Sequence, residues 1–556
     1  MWLSVTNDAA AHPFFGFLLV AAGAFAQTAP DTYWVQFTDK DNTPYSLSQP
    51  EQFLSARAIA RRQAQGTILD HLDLPVDPSY IAAVLASGEV ELINRSKWFN
   101  AITVRTTDAN ALSTIQQLPF VSNVRGTRRL VASDPEVDEV IAPPTGGERG
   151  GQPEDYGASW TQISMLNGHL LHAMEAKGQG MLIGVLDSGF DKADSLPAFD
   201  SLRARGGILL SRDMVNHDGD VYDDHWHGRS VLSCMTGILP GFLQGTAPQA
   251  DYVLLRTEEA ANEYIVEEDN WVAGAELCDS LGCDVLNTSL GYTEFDDSLT
   301  NHVYADLDGA TTRISIAAGI ASQKGMIPVC SAGNSGQSEW HFISAAADAF
   351  DILAVGAVGD QEQHAPFSSW GPSADGRVKP DVCAMGWGAI GLRVEGDSIA
   401  PINGTSFSSP ILAGLVACLW QLHPDRTAQE IMQAVRQSAS LYTTPNDSMG
   451  YGIPDFLEAH NQLVQLAVEE DRSSSDVQVF PVPFVDHLRV IVPDVSETSV
   501  LVALIDPQGR SVRAIRAGIV NGRLELDGLG PLASGMYLLR IERPSGALLS
   551  RRVVKE

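Results

Sequence analysis

The chain has 556 residues, with 36 Lys and Arg against 69 Asp and Glu, a formal net charge of −33. At roughly 100–200 residues per domain, this length implies about three domains; 44% hydrophobic against 19% charged residues excludes global disorder. So acidic a surface excludes nucleic acid as the main partner, because phosphate recognition needs basic surface.

Residues 14–22 are an apolar run of signal-peptide length, and Ala24-Phe25-Ala26 before Gln27 is a small-x-small cleavage site, so residues 1–26 read as a signal peptide. The run is too short to span a bilayer, although residues 1–13 lack the usual Lys or Arg. No later stretch reads as a membrane span, which predicts an exported chain. All six cysteines (Cys234, Cys278, Cys283, Cys330, Cys383 and Cys418) lie mid-chain. Cys330 and Cys418 fall in apolar strand and helix patterns as small core hydrophobes. Cys278 and Cys283, either side of a turn at 279–282, fit a local disulfide or two thiols equally.

Over residues 27–130 the pattern predicts a strand at 33–37, a basic helix at 53–65, an apolar segment at 80–85, a strand at 101–105 and a helix at 111–118. That is a small α+β domain. Residues 131–155, rich in Pro, Gly and acid, read as a linker. From 156 to 468, strands at 181–186, 252–255, 285–289, 326–331 and 352–358 alternate with helices at 270–281 and 311–323. This predicts an α/β domain whose parallel sheet is flanked by helices, with its active site at the carboxyl ends of strands. Past a Ser/Asp-rich break at 469–476, residues 477–556 carry short alternating strands at 488–492, 501–505 and 537–541, an all-β sandwich. Nine basic against five acidic residues give 501–556 a net +4 in an otherwise acidic chain. No nucleic-acid motif appears, and a monomer is expected.

Four segments carry chemistry. In Ile183-Gly184-Val185-Leu186-Asp187-Ser188-Gly189 an apolar strand ends on a carboxylate; a helix cap is the bland alternative. In His225-Trp226-His227-Gly228-Arg229 a histidine beside a glycine opens a short helical run, and His225 is a decoy. Val329-Cys330-Ser331-Ala332-Gly333-Asn334 ends a buried strand on an amide, which a left-handed turn would equally explain. Asn403-Gly404-Thr405-Ser406-Phe407-Ser408-Ser409-Pro410 leads into an apolar helix, with Pro410 placed in the first turn, where its missing N–H is not needed.

In that order these motifs resemble the subtilisin-like serine peptidases, especially Bacteroidetes-type members, over residues 156 to about 465. The resemblance implies a triad of Asp187, His227 and Ser406, with Asn334 donating to the oxyanion. Ser406 needs a base within hydrogen-bond reach, which His227 supplies, and Asp187 fixes the imidazole. Substrate is expected to pair as an extended strand with Ser289, Leu290 and Gly291, opposite Ser331, Ala332 and Gly333. The small Ala332 and Gly333 leave room for a bulky apolar residue before the scissile bond. Arg229 stands where the family usually has Thr, and is expected to place a long cation near the base.

The same resemblance makes residues 27–130 an inhibitory propeptide and 477–556, with Phe480-Pro481-Val482-Pro483, a sorting domain of type IX secretion cargo. It implies a secreted or cell-surface endopeptidase, made as a proenzyme, acting on proteins or peptides and meeting secretion machinery through its C-terminal domain. No cofactor is needed for the chemistry. Structural calcium could sit at Asp218, Asp220, Asp223 and Asp224, or at Asp296, Asp297, Asp306 and Asp308, although solvated acidic surface explains both stretches better. The match Asn403-Gly404-Thr405 to a glycosylation site is noise, since a glycan there would sit on the nucleophile turn. The rival reading is an inactive, surface-displayed binding module of the same fold, with Arg229 the damaging change.

Overall fold

The computed structural model describes residues 29–129, 155–393, 398–475, 478–491, 499–506, 511–520, 522–542 and 548–556. The expected signal peptide (1–26) and nearly all of the expected linker (131–155) lie outside them.

The N-terminal unit is a four-stranded antiparallel sheet in the order Glu91–Ser96, Ala101–Arg105, Thr32–Phe37, Val121–Arg128. Its second strand along the chain, Glu91–Ser96, and its last, Val121–Arg128, are absent from the sequence reading; both are polar enough to pass for loops. Along Thr32–Phe37 the residues alternate between faces. Tyr33, Val35 and Phe37 join the unit's own core with Val84, Ile102 and Ile115, while Trp34 faces the other way, under the guanidinium of Arg313 at 5.1 Å. The helix Ala56–Gln65 starts where Ser55 Oγ accepts the Ala58 N–H at 3.0 Å.

Seven parallel strands form the central sheet, in the order Val382–Met385, Leu353–Val358, Ile327–Ser331, Val285–Thr288, Leu182–Asp187, Asp251–Arg256, Ile208–Asp213. The chain starts at Leu182–Asp187, builds one side, then returns to build the other. Strand order therefore reverses beside Asp187, the place where such sheets open a crevice at their carboxyl ends. Nearly all residues of these strands are buried, as expected for a sheet covered on both faces. Ile208–Asp213, an edge strand with a mixed apolar and polar pattern, is another element the sequence did not disclose.

The helix Thr405–Leu422 is long and apolar enough to cross a membrane by length and composition, yet 89% of it is buried inside the fold. It also corrects the placement of Pro410. That proline lies in the second turn of the helix, where its N–H would have met the Ser406 carbonyl four residues back. The orphaned carbonyl instead accepts Ser289 Oγ–H at 2.9 Å.

One further expectation changes, and one left open is decided. The break expected at 469–476 is helical as far as Ser475, where the helix Phe456–Ser475 ends; Glu469, Glu470 and Arg472 are good helix formers whatever their polarity. Cys278 and Cys283 are thiols, as are the other four cysteines, all buried. After the helix come two antiparallel sheets, of three and four strands, which share one core around Phe484, Leu488, Val502 and Leu539.

Candidate active site

Asp187 ends its strand fully buried, and its Oδ1 meets His227 Nδ1 at 2.7 Å. A carboxylate accepts, so Nδ1 carries the proton and Nε2 is left as the acceptor. The same Oδ1 accepts the Ser188 N–H at 2.8 Å. Gly228 is what allows this approach: a Cβ there would stand 2.4 Å from Gly189 O and 2.8 Å from Asp187 Cβ. His227 opens the helix His227–Thr236 with its side chain 18% exposed, so a substrate can reach it.

Ser406 is the second residue of Thr405–Leu422 and 8% exposed. Its Oγ donates to Ser289 O at 3.2 Å. The ring of its neighbour Phe407 lies 5.8 Å from that of His227, which places the serine turn against the histidine. His225, set aside on sequence grounds, is not remote: its Nδ1 lies 2.7 Å from Ser188 Oγ and its ring stacks 6.3 Å from His227.

Asn334 follows Gly333, and it is the glycine that takes the left-handed conformation, φ 106°. The turn-asparagine explanation therefore does not apply to Asn334. Its Oδ1 accepts both the N–H and the hydroxyl of Thr405, at 2.9 and 3.0 Å, and Thr405 Oγ1 in turn accepts the Gly333 N–H at 3.1 Å. With Oδ1 occupied, the NH₂ half of the exposed amide is the half left to donate. No sequence signal pointed to Thr405 as the latch between these two motifs.

The segments Ser289-Leu290-Gly291 and Ser331-Ala332-Gly333 extend from adjacent parallel strands, where Thr288 pairs with Cys330. Ser331 Oγ donates to Leu290 O at 3.3 Å. Arg229 corrects an expectation. It is fully buried and points away from His227, its guanidinium donating to the Asp191 carboxylate at 2.6 Å and to Arg393 O at 2.7 Å. Two residues along a helix are about 200° apart around its axis, so the first and third residues of this helix face opposite ways.

Neither acidic stretch considered for calcium makes an oxygen cage among the described residues. Asp218 and Asp220 accept N–H groups of their own turn, Asp224 faces Arg256 at 3.3 Å, and Asp297 caps Ser298–Thr300. Asp306 and Asp308 likewise accept local backbone N–H groups.

A parallel α/β sheet that brings an aspartate, a histidine and a helix-start serine to its carboxyl edge is the framework of a subtilisin-like serine endopeptidase. Residues 178–452 match the Subtilase family, and residues 32–139 match the Peptidase S8 propeptide domain of Bacteroidota. Subtilisin DY of Bacillus licheniformis is 26% identical over 52% of this chain and 93% of its own. The thermostable alkaline protease of Halalkalibacterium halodurans is 26% identical over 51% and 69%. A solved structure, that of the prenylagaramide maturation protease PagA, aligns at 21% identity with a TM-score of 0.42, covering 53% of this chain and 98% of that one.

Proposed function

We propose that this proenzyme hydrolyses peptide bonds through Ser406, His227 and Asp187, with Asn334 completing an oxyanion site. The observation that carries the reading is the short Asp187–His227 hydrogen bond, which puts the proton on Nδ1 and makes Nε2 the basic nitrogen beside the Ser406 turn. Ser406 Oγ attacks the scissile carbonyl as His227 Nε2 takes its proton, and Asp187 stabilises the imidazolium without taking that proton. The Asn334 amide and the Ser406 N–H receive the developing oxyanion. His227 then protonates the leaving amine, and water releases the acyl group by the same route.

An extended substrate lies along Ser289, Leu290 and Gly291, with the side chain before the scissile bond over Ser331, Ala332 and Gly333. Arg229 faces away from the base, which removes the motive for the inactive-module reading. The residues from 478 onward, with a core of their own, a net positive end and none of the proposed catalytic groups, serve delivery to the outside of the cell as a type IX sorting domain. The mature enzyme works as a secreted or surface-held monomer. Casein hydrolysis by the mature protein, lost in Ser406→Ala and in His227→Ala, tests the assignment; equal hydrolysis by a pure Ser406→Ala sample contradicts it.

A further inference from the structure

Beside the Asp187–His227 pair stand three carboxylates that the peptidase reading leaves without a task. Glu258 follows Asp251–Arg256, the strand next to Leu182–Asp187, and the N–H of the intervening Thr257 donates to Asp187 O at 2.9 Å. One carboxylate oxygen each of Glu258, Glu263 and Glu267 lie within 4.8 Å of one another. Glu267 is buried and held, its two oxygens accepting the N–H groups of Glu259 and Tyr264 at 2.8 and 3.2 Å. Glu258 is half-buried and makes no hydrogen bond or ion pair among the described residues. Its charge is felt by both Asp187 and His227.

An independent observation marks the same spot. Tyr292, the residue after Gly291, is fully buried, and its hydroxyl has no partner. Burial raises its pKa well above the ordinary phenol value, and the charges of Glu258, Glu267, Glu263 and Glu268 raise it further. Among the described residues, the neighbouring cations pair with other carboxylates: Arg256 with Asp213, Asp224 and Glu259, Arg313 with Asp269, and His302 with Glu268. Burial pushes the Glu258 and Glu267 carboxyls above the usual carboxylate range, a cost that an arriving cation would relieve. Calcium fits poorly, because it takes six to eight oxygens and both oxygens of Glu267 already accept backbone N–H groups.

A cation carried by the substrate fits better. Side chains of an extended peptide alternate between faces. If the residue before the scissile bond enters the cleft over Ser331-Ala332-Gly333, the next one toward the substrate N-terminus turns to the opposite side, where His227 and Glu258 stand. We infer that Glu258, Glu263 and Glu267 form an acidic subsite that receives a Lys or Arg side chain at the second position before the scissile bond. The inference rests on the peptidase reading with Ser406 as nucleophile.

The test is a set of peptides identical except for Lys, Arg, Leu, Gln or Glu at that position, cleaved by the mature enzyme. The expected result is a kcat/KM for Lys and Arg about tenfold or more above that for Leu and Gln, as charge-assisted contacts give. That ratio falls toward one in Glu258→Gln and in Glu263→Gln, chiefly through KM, and Glu258→Lys favours Glu. Equal cleavage of all five peptides by the wild type overturns the subsite while leaving the nucleophile standing. A preference for basic residues that survives both Gln variants also overturns it. So does a calcium-dependent rise in Tm that both Gln variants abolish, since the carboxylates would then hold a metal. A wild type that cleaves none of the peptides and takes no label on Ser406 overturns the peptidase reading and the subsite together.

Discussion

Arg62 of the N-terminal unit donates to both carboxylate oxygens of Asp279 in the helix Val266–Leu281, at 2.7 and 2.8 Å, with both residues buried. Arg61 and Lys97 reach the same carboxylate at 2.8 Å each, so three cations from one unit converge on one anion of the other. Burial alone would raise the Asp279 pKa, but Lys97, Arg62 and Arg61 hold it well below the usual carboxylate range. Removing one partner of such a buried cluster costs about 3–5 kcal/mol, because the others stay buried and uncompensated. Asp279→Asn in a Ser406→Ala background is therefore expected to shift urea unfolding of the N-terminal unit to clearly lower denaturant. An unchanged transition would show that apolar contacts alone hold the unit.

Acid is expected to act on this interface in two opposite steps. Glu276, one turn before Asp279, accepts Ser96 Oγ–H, Lys97 N–H and Trp98 N–H at 2.6, 2.7 and 3.0 Å, and burial pushes its carboxyl up to about 7. A carboxyl raised from 4.5 binds more protons docked than free, so its contribution grows as pH falls from 7 toward 4.5. Asp279 is lowered, so its contribution is complete above 3.8 and is lost only as pH falls below that. Retention of the cleaved N-terminal unit on the catalytic domain, followed by gel filtration from pH 8 to 2.5, should be firmest near pH 5. Release between pH 6 and 5 would contradict both assignments.

Arg229 is expected to matter for stability and not for the base. Arg229→Met leaves the Asp191 carboxylate without its cation and should lower Tm by several degrees, while the acid limb of kcat/KM stays within a few tenths of a pH unit. A large move of that limb would mean that the guanidinium acts on His227 after all.

Asn334→Ala removes one oxyanion donor, for which the usual loss is about 10²–10³ in kcat with little change in KM. Thr405→Val keeps the donor but frees its orientation, because Thr405 Oγ1 joins the Asn334 carbonyl oxygen to the Gly333 N–H. About one hydrogen bond's worth, or roughly tenfold in kcat, is expected there. If Thr405→Val were as damaging as Asn334→Ala, the threonine would be doing more than orienting the amide.

Much of this was written in local chemistry that tertiary context had no reason to override. The strand ending at Asp187 is apolar throughout and stops on an acid beside glycine, and the serine turn runs into eighteen mostly apolar helical residues. What stayed hidden depends on partners distant in sequence. Glu276 and Asp279 look like polar positions of an ordinary helix until Lys97, Arg61 and Arg62 arrive from more than 170 residues away. The direction of Arg229 was within reach, since a residue two places along a helix faces away from the first. Six acids from Glu258 to Asp269 were likewise visible as a count, but only the fold shows three of them meeting.

The central claim is that Ser406 is a nucleophile activated by His227, and covalent labelling tests it most directly. A fluorophosphonate probe added to the mature protein, followed by peptide mass spectrometry, should place the phosphonyl group on Ser406 alone, with labelling lost in His227→Ala and retained in His225→Ala. Labelling of another serine, or of Ser406 at the same rate in His227→Ala, would contradict it.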